Sequence, residues 1–304
     1  MRVLVTGPTG FVGKHVVRAL SNRGHELGLL VRDAGKADAL KAPDSVLLEG
    51  DLDGAQSLKG LLKDFAPQAC VHLAWEGIPD YSAAVSKRNL DRSLHLADLL
   101  AAETPCKKIV VSGSCFEYGK TRGVCAESDP VQTASYIAWA KQALYNYLTL
   151  LGGKSSLRTV WFRFFYVYGP GQRSDSLIPT IVRSLMKGEM PDVRNPYNAN
   201  DFVYIEDVAE AIRLGVEKDP DSGVYNLGSG RATSILDVCR LIERELPGRG
   251  EFSERLSARR PAEEPAGFWA DISKAKKVLG WEPKRSLPEG IRRYVDSMAQ
   301  RSAA

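Results

Sequence analysis

The sequence is poor in the residues that build metal sites and covalent scaffolds. Its five cysteines (Cys70, Cys106, Cys115, Cys125, Cys239) contain no C-x-x-C pair, and with only four histidines no metal-ligand spacing arises. No metal site is expected, and an odd, scattered cysteine set reads as reduced thiols in a cytoplasmic protein. Long hydrophobic runs are missing too. No stretch of about 18 apolar residues could cross a membrane, and the N-terminal Arg2-Val3-Leu4-Val5 enters a strand-like run without a secretory apolar region. Internal repeats, low-complexity tracts and long linkers are absent. Neither sign of charge dominates: 41 basic against 37 acidic residues leave a net +4, too little to imply nucleic acid and compatible with a small anionic ligand.

What is present is an alternation. Short apolar runs at Arg2–Thr6, Glu26–Val31, 45–48, 69–74, 108–112 and 158–165 read as strands. Helical spacing marks 13–23, 82–103 and 138–151. Continuously apolar strands separated by amphipathic helices predict a parallel sheet covered on both faces, the doubly wound α/β fold. After about Gly169 the pattern changes. Helices at 177–187, 206–216, 234–246, Ser273–Leu279 and 287–298 surround turn-rich segments and a strand at 201–205. The expected organisation is a dinucleotide-binding domain over 1–170, to which later segments return, and a smaller mixed α/β substrate lobe over 171–304.

The loop Gly7-Pro8-Thr9-Gly10-Phe11-Val12-Gly13 stands between the first strand and the first helix. In that setting Gly7 permits a tight turn, Gly10 lets the backbone approach a pyrophosphate, and Gly13 lets the helix sit close to the sheet. The helix N-terminus then offers free N–H groups to the phosphates. The second strand ends Leu30-Val31-Arg32-Asp33, with Lys36 nearby. A basic residue there accommodates a 2′-phosphate, so Arg32 favours NADP(H); with Asp33 on the ribose instead, NAD(H) is the alternative. Asp51-Leu52 after the third strand is placed to flank the adenine.

From this point the chain resembles the extended short-chain dehydrogenase/reductases, the nucleotide-sugar epimerases, dehydratases and reductases. The residues that carry the resemblance are Thr6 to Gly13, Asp51-Leu52, Val71-His72-Leu73-Ala74, Val111-Ser112-Gly113-Ser114 with Tyr118-Gly119, Lys141, Arg163 through Gly171, Asp201 through Ala209, and Trp269-Ala270-Asp271. The resemblance spans nearly the whole chain. It implies that Leu73 and Ala74 border the cofactor. It also implies a catalytic Ser, Tyr and Lys, with the Lys one helical turn after the Tyr so that both face the nicotinamide. The Lys would bind the nicotinamide ribose and lower the phenol pKa, and the Tyr would move a proton at the sugar oxygen.

Ser114 and Lys141 fill two of those places. The third does not match: four residues before Lys141 stands Ile137, and the tyrosine lies one position earlier, at Tyr136. One residue is a rotation of about 100° on a regular helix. Either the helix begins irregularly near Ser135 and swings Tyr136 into the site as the catalytic phenol, the favoured expectation, or another group or a water supplies the proton, Tyr166 being a candidate. Cys115-Phe116 replaces the acidic pair of the dehydratases, which argues against elimination of water. On the substrate side the resemblance implies a basic grip on a diphosphate. Arg260 aligns with one such arginine, and Asn200 stands where a second is usual. Arg173 and Arg183 are candidates to compensate, and Leu177 to line the sugar pocket. The leading expectation is an NADPH-dependent reductase of the C4 ketone of a nucleotide-linked deoxysugar, acting as a homodimer. The alternatives are a 4-epimerase holding NAD tightly and, in another class, a dinucleotide-binding sensor without catalysis.

Overall fold

The computed structural model describes residues 1–40, 42, 44–119, 122–246, 251–259 and 264–303. Arg260 lies outside these. The chain runs through β1 (Arg2–Thr6), α1 (Phe11–Ser21), β2 (Glu26–Val31), β3 (Ser45–Glu49), α2 (Ala55–Phe65), β4 (Ala69–His72), α3 (Ala83–Glu103), β5 (Lys108–Ser114), β6 (Arg122–Cys125), α4 (Tyr136–Lys154), β7 (Arg158–Phe164) and β8 (Tyr166–Tyr168). It continues with α5 (Leu177–Met186), β9 (Ala199–Asn200), β10 (Phe202–Tyr204), α6 (Ile205–Glu217), β11 (Gly223–Leu227), β12 (Thr233–Ser234), α7 (Ile235–Glu245), α8 (Phe252–Ser257), β13 (Gly267–Ala270), α9 (Ser273–Leu279) and α10 (Leu287–Ala303).

Seven strands form one parallel sheet in the order β11-β7-β5-β4-β1-β2-β3. The order reverses between β1 and β4, and an α/β sheet opens its ligand crevice at such a switch point. Side chains alternate across the sheet. Val3 and Val5 face α1 and α6 in one core, whereas Leu4 faces α2, α3 and α4 in the other. On α1, Val16, Val17 and Leu20 are buried. Each contributes roughly 2 kcal/mol on burial, which fixes the rotation that aims the helix N-terminus at the crevice.

The smaller lobe is built from two short sheets and the C-terminal helices. One sheet has the order β12-β9-β13-β6, and the other pairs β10 with β8. Its core joins Ile178, Ile181 and Leu185 of α5 to Val238 and Ile242 of α7 and to Ile291 and Tyr294 of α10. The two halves interleave: β6 from the first half sits in the lobe sheet, and β11 from the second half closes the edge of the large sheet. Among the described residues no helix is long and apolar enough to cross a membrane, and no cluster of three or more His, Cys, Asp or Glu is arranged for a metal ion. All five cysteines are free and buried.

Candidate active site

The glycine loop has the geometry its sequence demands. Gly7 takes a φ of +69°, and a Cβ there would lie 2.9 Å from the Ala74 nitrogen. A Cβ on Gly13 would collide with the Gly7 carbonyl oxygen and lie 2.8 Å from the Pro8 Cα. Gly10 caps α1 with no side-chain hydrogen bond, and the first turn carries no acidic residue. Helices α3, α4 and α7 are capped by Ser82, Ser135 and Ser234. The first-turn N–H groups of α1, at Phe11, Val12 and Gly13, are therefore left for a ligand, and the positive end of the helix favours an anionic one. These residues fit a dinucleotide pyrophosphate.

A buried hydrogen-bond chain holds the switch point together. His72 is 3% exposed; its Nδ1 lies 2.8 Å from the Thr6 hydroxyl and its Nε2 2.9 Å from that of Ser93. Ser93 spends its proton on the Asn89 carbonyl, so it must accept from His72 Nε2–H. Nδ1 then accepts from Thr6, whose oxygen in turn accepts from the Ala74 N–H. Burial, reinforced by the nearby Lys141 charge, pushes the His72 pKa down to about 3, so the ring stays neutral and the chain of donors keeps its direction. Leu73 and Ala74 are thereby fixed beside Gly7, where both line the crevice.

The end of the crevice beside β2 and β3 is bounded by Thr9, Arg32, Asp51, Leu52, Glu76 and Arg92. Arg32 is present as expected, but its guanidinium is paired with Glu76 at 3.1 Å.

A cleft of about 690 Å³ continues from the glycine loop toward the lobe. Phe11, Val12, Ser114, Lys141, Tyr166, Arg173 and Leu177 all line it. Ser114 ends β5 and caps the turn that follows; its oxygen accepts from the Phe116 N–H at 3.2 Å. Its own proton has no acceptor among the described residues and is available to a ligand oxygen. Lys141 is 5% exposed. Its ammonium donates to the Ser112 carbonyl at 2.7 Å and lies 3.8 Å from the centre of the Trp75 ring. Burial lowers its pKa to about 7, against the raising effect of Glu117.

Tyr136 is not brought into this cleft. Ser135 caps α4 through a 3.3 Å bond from the Ala138 N–H, and the Trp139 N–H reaches the Ser135 carbonyl at 2.9 Å. The helix is regular from its first residue, so no wide turn rotates Tyr136 inward, and the residue is 57% exposed. Ile137, one turn before Lys141, lines the cleft in its stead. The tyrosines that do line it are Tyr81, Tyr166 and Tyr168; Tyr166, the candidate from the sequence, lies on β8 packed against Phe202 and Phe268. Burial is the main cause that pushes its pKa up, followed by Cys115 and Tyr81. Arg183 is also misplaced in the sequence reading: it sits on the exposed face of α5, because Ile178, Ile181, Val182 and Leu185 turn the opposite face into the lobe core. Arg173 is at the cleft and lies 3.5 Å from Asp175.

Two features escaped the sequence reading. Glu117 is fully buried under Ser114, accepting from the Ser114 N–H at 2.7 Å, Trp161 Nε1 at 3.1 Å and Arg163 Nε at 2.8 Å. Arg163, 2% exposed, stacks over the Tyr118 ring, whose hydroxyl donates to Asn226. The pair and its hydrogen bonds fix the backbone that presents Ser114. The other is Trp75, which borders both the crevice and the cleft. Arg163 offered a signal: one cation within Val160-Trp161-Phe162-Arg163-Phe164 requires a buried counter-charge.

Comparison with known proteins gives the lineage. Residues 3–228 match the NAD dependent epimerase/dehydratase family. UDP-glucuronate 4-epimerase 3 of Arabidopsis thaliana is 30% identical over 331 residues, covering 96% of this chain and 75% of that protein. MoeE5, solved in complex with UDP-glucose and NAD, is 27% identical with a TM-score of 0.80 over the full length of both chains. UDP-glucose 4-epimerase of Thermotoga maritima, solved with UDP-glucose, shares the fold at a TM-score of 0.85 and 24% identity, over 99% of this chain and 100% of that one. The chain belongs to the NAD dependent epimerase/dehydratase family, enzymes of the extended short-chain dehydrogenase/reductase type.

Proposed function

We propose that the chain binds NAD(H) between the glycine loop and Ala74 and uses it for hydride exchange at a carbon of a nucleotide-linked sugar seated against Ser114, Lys141 and Tyr166. The observation that carries the reading is one continuous cleft joining the uncapped α1 terminus to Ser114, Lys141 and Tyr166. The cofactor supplies the hydride acceptor or donor. Ser114 donates to the reacting sugar oxygen, and Lys141 faces the ribose side of the site. Arg173 supplies positive charge near the substrate phosphates, and Leu177 an apolar wall. The family description and the NAD-bound neighbour favour NAD(H) over the NADP(H) suggested by Arg32.

The names of the relatives favour 4-epimerisation, in which the cofactor is regenerated within each turnover. A second reading, net reduction of a keto sugar, is favoured by Ile137 and Tyr166. An epimerase must first remove a proton from an alcohol, and no phenol stands one turn before Lys141. Tyr166 carries its proton at neutral pH and lines the cleft, which makes it the candidate donor to a ketone reduced by hydride. The pairing of α3 with α4, which exposes Tyr136, Trp139 and Leu150, is the surface we assign to a homodimer.

The test uses purified protein, NAD(H) and NADP(H), UDP-glucose, UDP-glucuronate and a panel of 4-keto nucleotide sugars. Epimer formation without net change in reduced-cofactor absorbance supports the first reading. Stoichiometric loss of reduced cofactor supports the second. Dinucleotide binding with no turnover of any sugar would sink both and leave the sensor.

A further inference from the structure

Glu76 lies immediately beyond Trp75, at the end of the crevice beside β2 and β3, and its carboxylate is shared by three arginines. One oxygen is 3.1 Å from Arg32 Nη1; the other is 2.6 Å from Arg92 Nη1 and 3.3 Å from Arg88 Nε. Arg92 is further held by Asp53. Arg32, Glu76 and Arg92 border the same crevice as Asp51. The backbone of Glu76 is positioned independently of its charge: its N–H donates to Asn89 Oδ1 at 2.9 Å, and its carbonyl accepts from Asn89 Nδ2 at 3.1 Å.

We propose that Glu76 sets the dinucleotide preference by occupying Arg32 and denying it to a 2′-phosphate. The inference rests on the proposed binding of a nicotinamide dinucleotide in this crevice. A phosphate monoester carries about −1.5 to −2 charges at neutral pH. To reach Arg32 it must compete with a carboxylate already bonded to Nη1, and then lie beside that carboxylate, which is like-charged and kept at the crevice by Arg92 and Arg88. An unphosphorylated ribose makes no such demand. Arg32 alone reads as an NADP determinant; the Arg32–Glu76 pair reads as an NAD site. Removing the Glu76 charge leaves three guanidinium groups against the carboxylates of Asp51 and Asp53, a net positive arrangement suited to phosphate binding.

The experiment measures dissociation constants for NAD and NADP by titration calorimetry on the wild-type protein, E76Q, and the double variant R32A/E76Q. Glutamine keeps the side-chain length, and the Asn89 bonds to the backbone are untouched. Wild type should bind NAD at least about tenfold more tightly than NADP. E76Q should bind NADP at least about tenfold more tightly than wild type does, with NAD changed by less than about threefold. The gain should vanish in R32A/E76Q, because it runs through Arg32. Unchanged NADP affinity in E76Q, or a gain that survives loss of Arg32, overturns the masking role while NAD binding to wild type leaves the proposed function standing. A wild-type protein that binds neither dinucleotide overturns both.

Discussion

Replacing Lys141 with methionine should stabilise the fold while removing its chemistry, and by an amount that depends on pH. The ammonium is 5% exposed and its pKa is lowered from 10.5 to about 7, chiefly by burial. In the unfolded chain the lysine stays protonated to about pH 10.4. Below pH 7 both states carry the proton, and the folded state bears the whole cost of burying it, about 5 kcal/mol for this shift. Between the two pKa values the unfolded chain binds more protons, so wild-type stability rises by about 1.4 kcal/mol per pH unit. Methionine has the same reach and no proton to lose. It forfeits the bond to the Ser112 carbonyl and the contact with Trp75, together about 2 kcal/mol. K141M should thus be more stable than wild type by about 3 kcal/mol near pH 6, with the advantage gone by about pH 9. Urea denaturation midpoints of both proteins across that range provide the measurement. Stability curves that run parallel with pH, or a less stable K141M near pH 6, would refute the burial argument.

The tyrosines separate cleanly: Y136F, altering a residue 57% exposed, should leave turnover within about twofold, whereas Y166F should lower it by about 10² or more without weakening dinucleotide binding. Equal effects of the two in a turnover assay would invalidate the placement of the acid. G13A forces a Cβ against the Gly7 carbonyl; overpacking of about 1–3 kcal/mol and a loss of NAD affinity of at least about tenfold should follow, readable by thermal denaturation and calorimetry. E117Q leaves Arg163 buried without its counter-charge and should cost about 3 kcal/mol or more, measured by denaturant midpoint; a loss under about 1 kcal/mol would mean the pair is dispensable.

The large sheet was legible because its strands are short apolar runs at regular intervals, and the glycine loop because each glycine answers a steric demand set by neighbours in sequence. Ser114 and Lys141 were legible through the family resemblance, and both line the cleft. The first turn of α4 was not: Ser135 supplies an ordinary cap, and the hydroxyl that makes the helix regular looks in sequence like part of an irregular start. Arg32 was visible as a cation, but its partner lies 44 residues away, and no local pattern ties the end of β2 to the residue after Trp75. Glu117 hid for a like reason. Its partners Trp161 and Arg163 come from β7, brought beside β5 only by the sheet order. Arg183 was legible as outward-facing from the apolar stripe Ile178, Ile181, Val182 and Leu185, which turns the other face of α5 into the core.

Strand β6 belongs to the first half of the chain but hydrogen-bonds to β13, from Gly267–Ala270, in the lobe sheet. The lobe is therefore not a detachable module. A fragment ending near residue 170 would keep six of the seven strands of the large sheet and lose β11, leaving both β7 and β6 with bare edges and the apolar β8 without β10. Unpaired edges of that kind recruit other chains. Gene-level exchange of sugar specificity by swapping C-terminal halves between relatives would thus require Arg122–Cys125 to travel with the transplanted half.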